Sequence, residues 1–249
     1  MTYCVGLLLD QGLVMLADTR TNGGIDNICC FAKLHVFNTP GERQIAVMTA
    51  GNLAVSQAVI NLIREGMPDP DSGELRTIHS VSGMFEAASL VGEAVRWVFE
   101  KHGKVMRQQK VPFDVSVLIG GQIAGAPQRL FEVYSAGNFI EATRDTPFLQ
   151  VGEHKYGKPI LDRSINSDTS LADGVKLALI SMDSTLRSNL SVGMPLDLLV
   201  YTRDRIDGGM QRRVSEEDVY FRQLRDAWSR ALHDAQRAIP APDWGQARG

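Results

Sequence analysis

The period of the apolar residues changes along this chain, and the order of those changes restricts the fold more than any single residue does. Tyr3 to Leu9 and Leu13 to Ala17 read as two strands joined by Asp10-Gln11-Gly12, a hairpin that starts at residue 2. After a polar connection from Thr21 to Asp26, Lys33 to Phe37 and Gln44 to Met48 read as a second pair around Asn38-Thr39-Pro40-Gly41. From Asn52 to Glu65 the period becomes helical, with Val55, Val59, Leu62 and Ile63 on one face and Asn52 placed to cap it. Residues 66–80, with Gly66, Pro68, Pro70 and Gly73, predict a surface loop, and Met84, Ala88, Val91, Val95 and Val98 predict a helix over 84–101.

The second half repeats the theme. Val115 to Ile119 and Leu130 to Tyr134 read as strands with Gly120-Gly121 as the turn region, followed by short extended pieces near Phe139 and over Phe148 to Val151. Leu171, Val175, Ala178, Met182 and Leu186 form a helical stripe, Leu196 to Tyr201 a strand, and Tyr220, Leu224, Trp228, Leu232 and Ala235 a last amphipathic helix. A tail from Pro240 to Gly249 is expected to fray. Strands, two helices, strands and then helices predict two sheets with helices packed outside them. With 249 residues and 44% hydrophobic content, the chain has enough material for one such domain. Its core is expected over 2–201, and 202–249 is expected to add a C-terminal helix and the tail.

Composition removes several function classes. A net charge of −3 and a pI near 6.0 offer no positive field, so neither nucleic acid nor membrane is expected as a partner. No apolar run reaches the roughly 20 residues of a membrane span. Cys4, Cys29 and Cys30 complete no zinc spacing and suit a reduced, cytoplasmic setting. There is no phosphate loop, dinucleotide fingerprint, H-E-x-x-H or G-x-S-x-G, and the five histidines are scattered, so no cofactor and no metal are expected.

The N-terminus carries the chemistry. Removal of Met1 would leave Thr2 first, with a hydroxyl and a free α-amine on one residue. A threonine hydroxyl is a weak nucleophile alone, and an α-amine, with an ordinary pKa of roughly 7.7–8.0, is suited to take its proton near neutral pH. Asp18 closes the second strand of the opening hairpin, so antiparallel pairing returns it to the neighbourhood of Thr2. Lys33 begins the third strand; near Thr2 its charge would favour the neutral amine, and Asp18 would hold it charged.

These residues resemble a known family. Thr2 opening a strand, Ala17-Asp18-Thr19-Arg20, Lys33 and Thr49-Ala50-Gly51 before a helix are similar to the proteasome β subunits, which are N-terminal-nucleophile hydrolases. A narrower likeness, to the bacterial proteasome-like proteins called Anbu (ancestral β subunit), rests on five blocks spread over residues 2 to about 238. They are Met1 to Val5, Asp18 to Asn22, Phe31 to Phe37, Val151-Gly152-Glu153 with Lys155 to Leu161, and Ser181 to Thr185 with Arg187-Ser188-Asn189. The resemblance implies an α+β fold, a four-layer αββα sandwich with a C-terminal helical extension.

It also implies roles at matching positions: Thr2 as nucleophile and, through its amine, base; Lys33 tuning it; Asp18 pairing with Lys33; and the N–H of Gly51 in an oxyanion hole. Asp183 resembles the acid that orients the threonine amine, Ser188 is a weaker candidate partner, and Arg20 is expected to be structural. Glu153 stands where ordinary proteasome β subunits place a serine near that amine, so a carboxylate is expected there instead. The implied activity is a threonine hydrolase cleaving peptide-like amide bonds inside a self-assembled ring or open-spiral homo-oligomer, with no ATPase partner indicated. A structural member with little peptidase activity, or an amidase on a small conjugate, are the alternatives.

Overall fold

A computed structural model describes residues 1–22, 28–69 and 72–242. The expected connection through Asp26, Pro70 of the expected loop, and the expected frayed tail beyond residue 242 lie outside the described residues.

The opening hairpin is present as β1 (Tyr3–Leu9) and β2 (Gly12–Asp18), followed by the small pair β3 (Arg20–Asn22) and β4 (Ile28–Cys30). The second hairpin is β5 (Leu34–Thr39) and β6 (Arg43–Gly51), and α1 (Leu53–Glu65) follows, its N–H groups at Ala54 and Val55 capped by the Asn52 side chain. Two short bridging strands, β7 (Met67–Pro68) and β8 (Leu75–Arg76), lie in the region read as loop. Helix α2 (Met84–Gln108) runs about two turns past the expected end at Lys101. The remaining elements are β9 (Val115–Ile123), β10 (Arg129–Val133), β11 (Phe139–Glu141), β12 (Phe148–Gly152), α3 (Lys158–Ser164), α4 (Leu171–Ser188), β13 (Leu196–Thr202), β14 (Met210–Val214) and α5 (Val219–Ala238).

One five-stranded sheet has the order β12-β1-β2-β13-β14 and the other β11-β10-β9-β6-β5. They stack face to face, with helices outside each, which is the αββα sandwich. Side-chain alternation explains why the strands read as near-continuous apolar runs: both faces of each sheet are covered. On β1, Tyr3, Val5, Leu7 and Leu9 pack toward α3, α4 and α5, while Cys4 faces the opposite sheet. On β6, Ile45 and Val47 pack toward α1 and α2, while Ala46, Met48 and Ala50 meet Cys4, Met15 and Ala17 between the sheets.

Two expectations about the fold need correction. Gly120 and Gly121 lie within β9, paired to Ala46 and Ile45 on one side and Leu130 and Arg129 on the other; the turn falls after Ile123. At Gly121 a Cβ would overlap the Gln44 carbonyl, so glycine there permits close backbone approach rather than a turn. The sheet also continues past residue 201, because β14 pairs with β13 from Leu196–Val214 to Val200–Met210.

Candidate active site

Thr2 precedes β1 at the end of the sandwich where β2, β6 and the chain after α4 also finish. It is 8% exposed and lines a cavity of about 370 Å³ together with Lys33, Thr49, Gly51 and Ser56. The hairpin brings Asp18 back to it as its register requires: Cys4 is opposite Ala17, and the N–H of Tyr3 donates to Asp18 Oδ1 at 3.0 Å.

Lys33 and Asp18 form a buried ion pair, with Lys33 Nζ 2.7 Å from Asp18 Oδ1. The ammonium also donates to the carbonyl of Arg20 at 2.6 Å, and Gly193 N–H reaches Asp18 Oδ2 at 3.2 Å. Burial pushes the Asp18 carboxyl upward, while the Lys33 ammonium and the N–H groups of Tyr3 and Gly193 pull it down. Three donors aimed at one carboxyl group favour its charged form. A charged Asp18 balances Lys33, so the site carries an ammonium beside Thr2 without a net buried charge.

The N–H of Gly51 is placed by ladder alternation. Along an antiparallel strand successive N–H groups point to opposite sides. Asn52 N–H donates to Asp114, on the β9 side, and Thr49 N–H donates to Lys33, on the β5 side. Gly51 therefore points its N–H to the β5 side, and β5 begins only at Leu34, opposite Met48. That donor faces the cavity instead of a strand. Gly51 has φ +105° and approaches the Asp114 backbone too closely for a Cβ, which accounts for glycine there.

On the other side of Thr2, Glu153 N–H donates to the Thr2 carbonyl at 2.6 Å. Gly152, at φ +84°, allows this approach, since a Cβ would overlap the same carbonyl oxygen. The buried Glu153 carboxylate accepts from Asn189 Nδ2 at 3.0 Å, and Asn189 Oδ1 accepts the N–H of Ser191. Arg20 reaches the Leu190 carbonyl at 3.2 Å. The segment 189–193 thus links Glu153, Arg20 and Asp18 around Thr2. Asn189 is quoted within a block of the resemblance but given no role, and Gly193 is not singled out by the sequence, because only the return of the chain after α4 puts them there.

Asp183 and Ser188 are not brought to Thr2. Asp183 is on α4, and both its oxygens are held by guanidinium groups: Oδ2 by Arg187 Nε at 3.0 Å and Oδ1 by Arg225 Nε of α5 at 2.6 Å. This buried carboxylate joins two helices and makes no hydrogen bond to Thr2, which corrects its expected role as the acid orienting the amine. Ser188 is exposed on the last turn of α4. The residue of the same block that reaches β1 is Ser181, whose Oγ lies 2.6 Å from the hydroxyl of Tyr3 and so ties α4 to the strand that follows Thr2.

Among the described residues, no cluster of three or more His, Cys, Asp or Glu could hold a metal ion, and no helix is long and apolar enough to cross a membrane.

No family model matches the chain. A curated proteasome subunit beta from Methanocaldococcus jannaschii is 24% identical over 208 residues, covering 82% of this chain and 83% of that one. Among solved structures, an Anbu (Gly-1) mutant from Hyphomicrobium sp. strain MC1 is 49% identical, covers 98% of this chain and 100% of its own, and superimposes with a TM-score of 0.89. Anbu (ancestral beta-subunit) from Yersinia bercovieri is 45% identical with the same coverage and a TM-score of 0.89. A structure described as the helical assembly of the Anbu complex from Pseudomonas aeruginosa is 48% identical, covers 98% of this chain and 99% of its own, and also has a TM-score of 0.89. Identity at this level over nearly the whole length, joined to an αββα sandwich with Thr2, Lys33 and Asp18 gathered at one end, places the chain in the Anbu family of proteasome β-subunit-like proteins.

Proposed function

We propose that this protein is a threonine-type N-terminal-nucleophile hydrolase that acts on peptide-like amide bonds. The observation that carries the reading is the Lys33–Asp18 pair, buried beside Thr2 and tied to the first residue of β1. After loss of Met1, the Thr2 amine would take the hydroxyl proton as Oγ attacks the amide carbon, and the Lys33 charge would favour the neutral amine that this requires. The Gly51 N–H would receive the developing oxyanion. The proton would pass to the leaving amine, the acyl group would remain as an ester on Thr2, and water would release it. Glu153, held by Asn189, would be the carboxylate beside the new amine, the place the resemblance implies for it, while the orienting role the resemblance gives to Asp183 would be left without that residue.

The protein would work in the cytoplasm as a ring or open-spiral homo-oligomer, in keeping with the helical assembly described for the Pseudomonas relative. The test is incubation of Met1-free protein with a panel of peptides and small amides, products being identified by mass. Cleavage that is lost in Thr2→Ala and Lys33→Ala supports the reading. Cleavage that survives in Thr2→Ala contradicts it, and turnover of small amides alone moves the substrate from peptides to a conjugate.

A further inference from the structure

The end of the sandwich opposite Thr2 is crossed by a row of amide side chains. Asn38 of β5 pairs with Gln44 of β6, Gln44 pairs with Gln122 of β9, and Gln128, just before β10, stands next in the same line. By strand alternation these residues share the face of Val36, Ala46, Leu118 and Leu130, which lies between the two sheets. Gln122 is fully engaged: Oε1 accepts from the Tyr201 hydroxyl and the Asp204 N–H, and Nε2 donates to the Ala126 carbonyl and to Asp204. Its neighbours are not. Asn38 Oδ1, Gln44 Oε1 and Nε2, and Gln128 Oε1 are buried and have no hydrogen-bond partner among the described residues. Gln44 is only 1% exposed.

Buried amide groups are normally paired, and leaving them unpaired costs free energy. A direct bond between Gln44 and Asn38 would not remove the deficit, because either pairing still leaves at least one Gln44 atom without a partner. Whichever way the Gln44 amide is turned, it presents one donor and one acceptor. A cation cannot satisfy the donor, and Asp204, the carboxylate bonded to this row, is already held by Gln122 and Arg203. Water can both donate and accept, and it has a way in. A cleft of about 550 Å³ opens between β5 and the β13–β14 pair, with Leu34, Val36 and Asn38 on one wall. Gly208 lies over the Asn38 amide, where a Cβ would come within 3.3 Å of Nδ2.

We infer that Asn38 and Gln44 form an interior water-binding site, filled through this cleft, in which bound water supplies the partners that the two amides lack. The sheets then meet dry beside Thr2, through Cys4, Met48 and Ala50, and through solvent at the far end. This site is independent of the hydrolase reading.

The test is a crystal structure of the full chain at a resolution that shows ordered water, repeated for Gln44→Met, a near-isostere without hydrogen-bonding groups. In the unmodified chain, water should lie about 2.7–3.2 Å from Asn38 Oδ1 and from the Gln44 amide. In Gln44→Met, the water beside residue 44 should be lost. Both Gln44 amide atoms bonded to protein groups with no water between them would overturn the inference. So would a ring of oxygen contacts shorter than hydrogen bonds, the mark of a cation, or water that persists unchanged beside Met. The unmodified chain decides the first point by itself, whether or not the variant folds.

Discussion

Asp18 accepts the N–H of Tyr3 at 3.0 Å while pairing with Lys33 at 2.7 Å, so the acid that balances the lysine also fixes the residue following Thr2. Removing that carboxylate leaves a nearly buried ammonium without its counter-charge. Asp18→Ala should cost about 3–5 kcal/mol in denaturant unfolding at fixed protein concentration. Adding Lys33→Met should recover much of the loss, since an apolar pair replaces a broken ionic one. A double variant less stable than the single would contradict the pairing.

Gly152 sits at φ +84° against the Thr2 carbonyl. Gly152→Ala should destabilise the fold by at least about 1 kcal/mol from the backbone conformation alone. It should also slow covalent labelling of Thr2 more than the control variant Gly125→Ala. Gly125 has φ +78° and nothing within reach of a Cβ, so it carries the conformational cost without the overlap.

Asp183 joins α4 to α5 through Arg187 and Arg225. Asp183→Asn should raise hydrogen exchange along α5 and lower stability by about 1–3 kcal/mol, while the rate of Thr2 labelling stays within about twofold of the unmodified chain. A large loss of labelling with α5 unchanged would restore the amine-orienting role suggested by resemblance.

Asp218 caps α5 by accepting the N–H of Phe221, and that bond, followed by Arg212, holds its carboxyl below the ordinary carboxylate range. A lowered folded pKa means that the stabilisation is present above the unfolded value, near ~4, and is lost as the pH falls through the folded one. Asp218→Ala should therefore cost about 1 kcal/mol at pH 7, with the difference shrinking in acid. Equal losses at pH 7 and pH 3 would exclude the charged cap.

How much of this was legible beforehand follows from how local each signal is. The hairpin that returns Asp18 to Thr2 and the Asn52 cap are local and readable, whereas Lys33 immediately precedes β5 of the other sheet and meets Asp18 across the sandwich, so its place was readable only as a strand end expected to converge on Thr2. Asp183 was not, because a helical acid faces whatever its helix packs on, and the packing of α5 is a long-range event. Gly120-Gly121 carried the composition of a turn but occupy a strand where backbones come close. Gly193 and Ser56 had no signal of their own, and Asn189 only its place in a block of the resemblance: each acquires its position only when the chain after α4, or the first turn of α1, closes on Thr2.

The central claim is that Thr2 becomes the nucleophile. Its most direct test is the intact mass of the purified protein before and after a hydroxyl-reactive β-lactone or epoxyketone, with the modified residue mapped by fragmentation. The expected result is a chain lacking Met1 that gains a single adduct on Thr2 and none in Thr2→Ala. A chain lacking Met1 that gains no adduct, or an adduct that persists in Thr2→Ala, would contradict it.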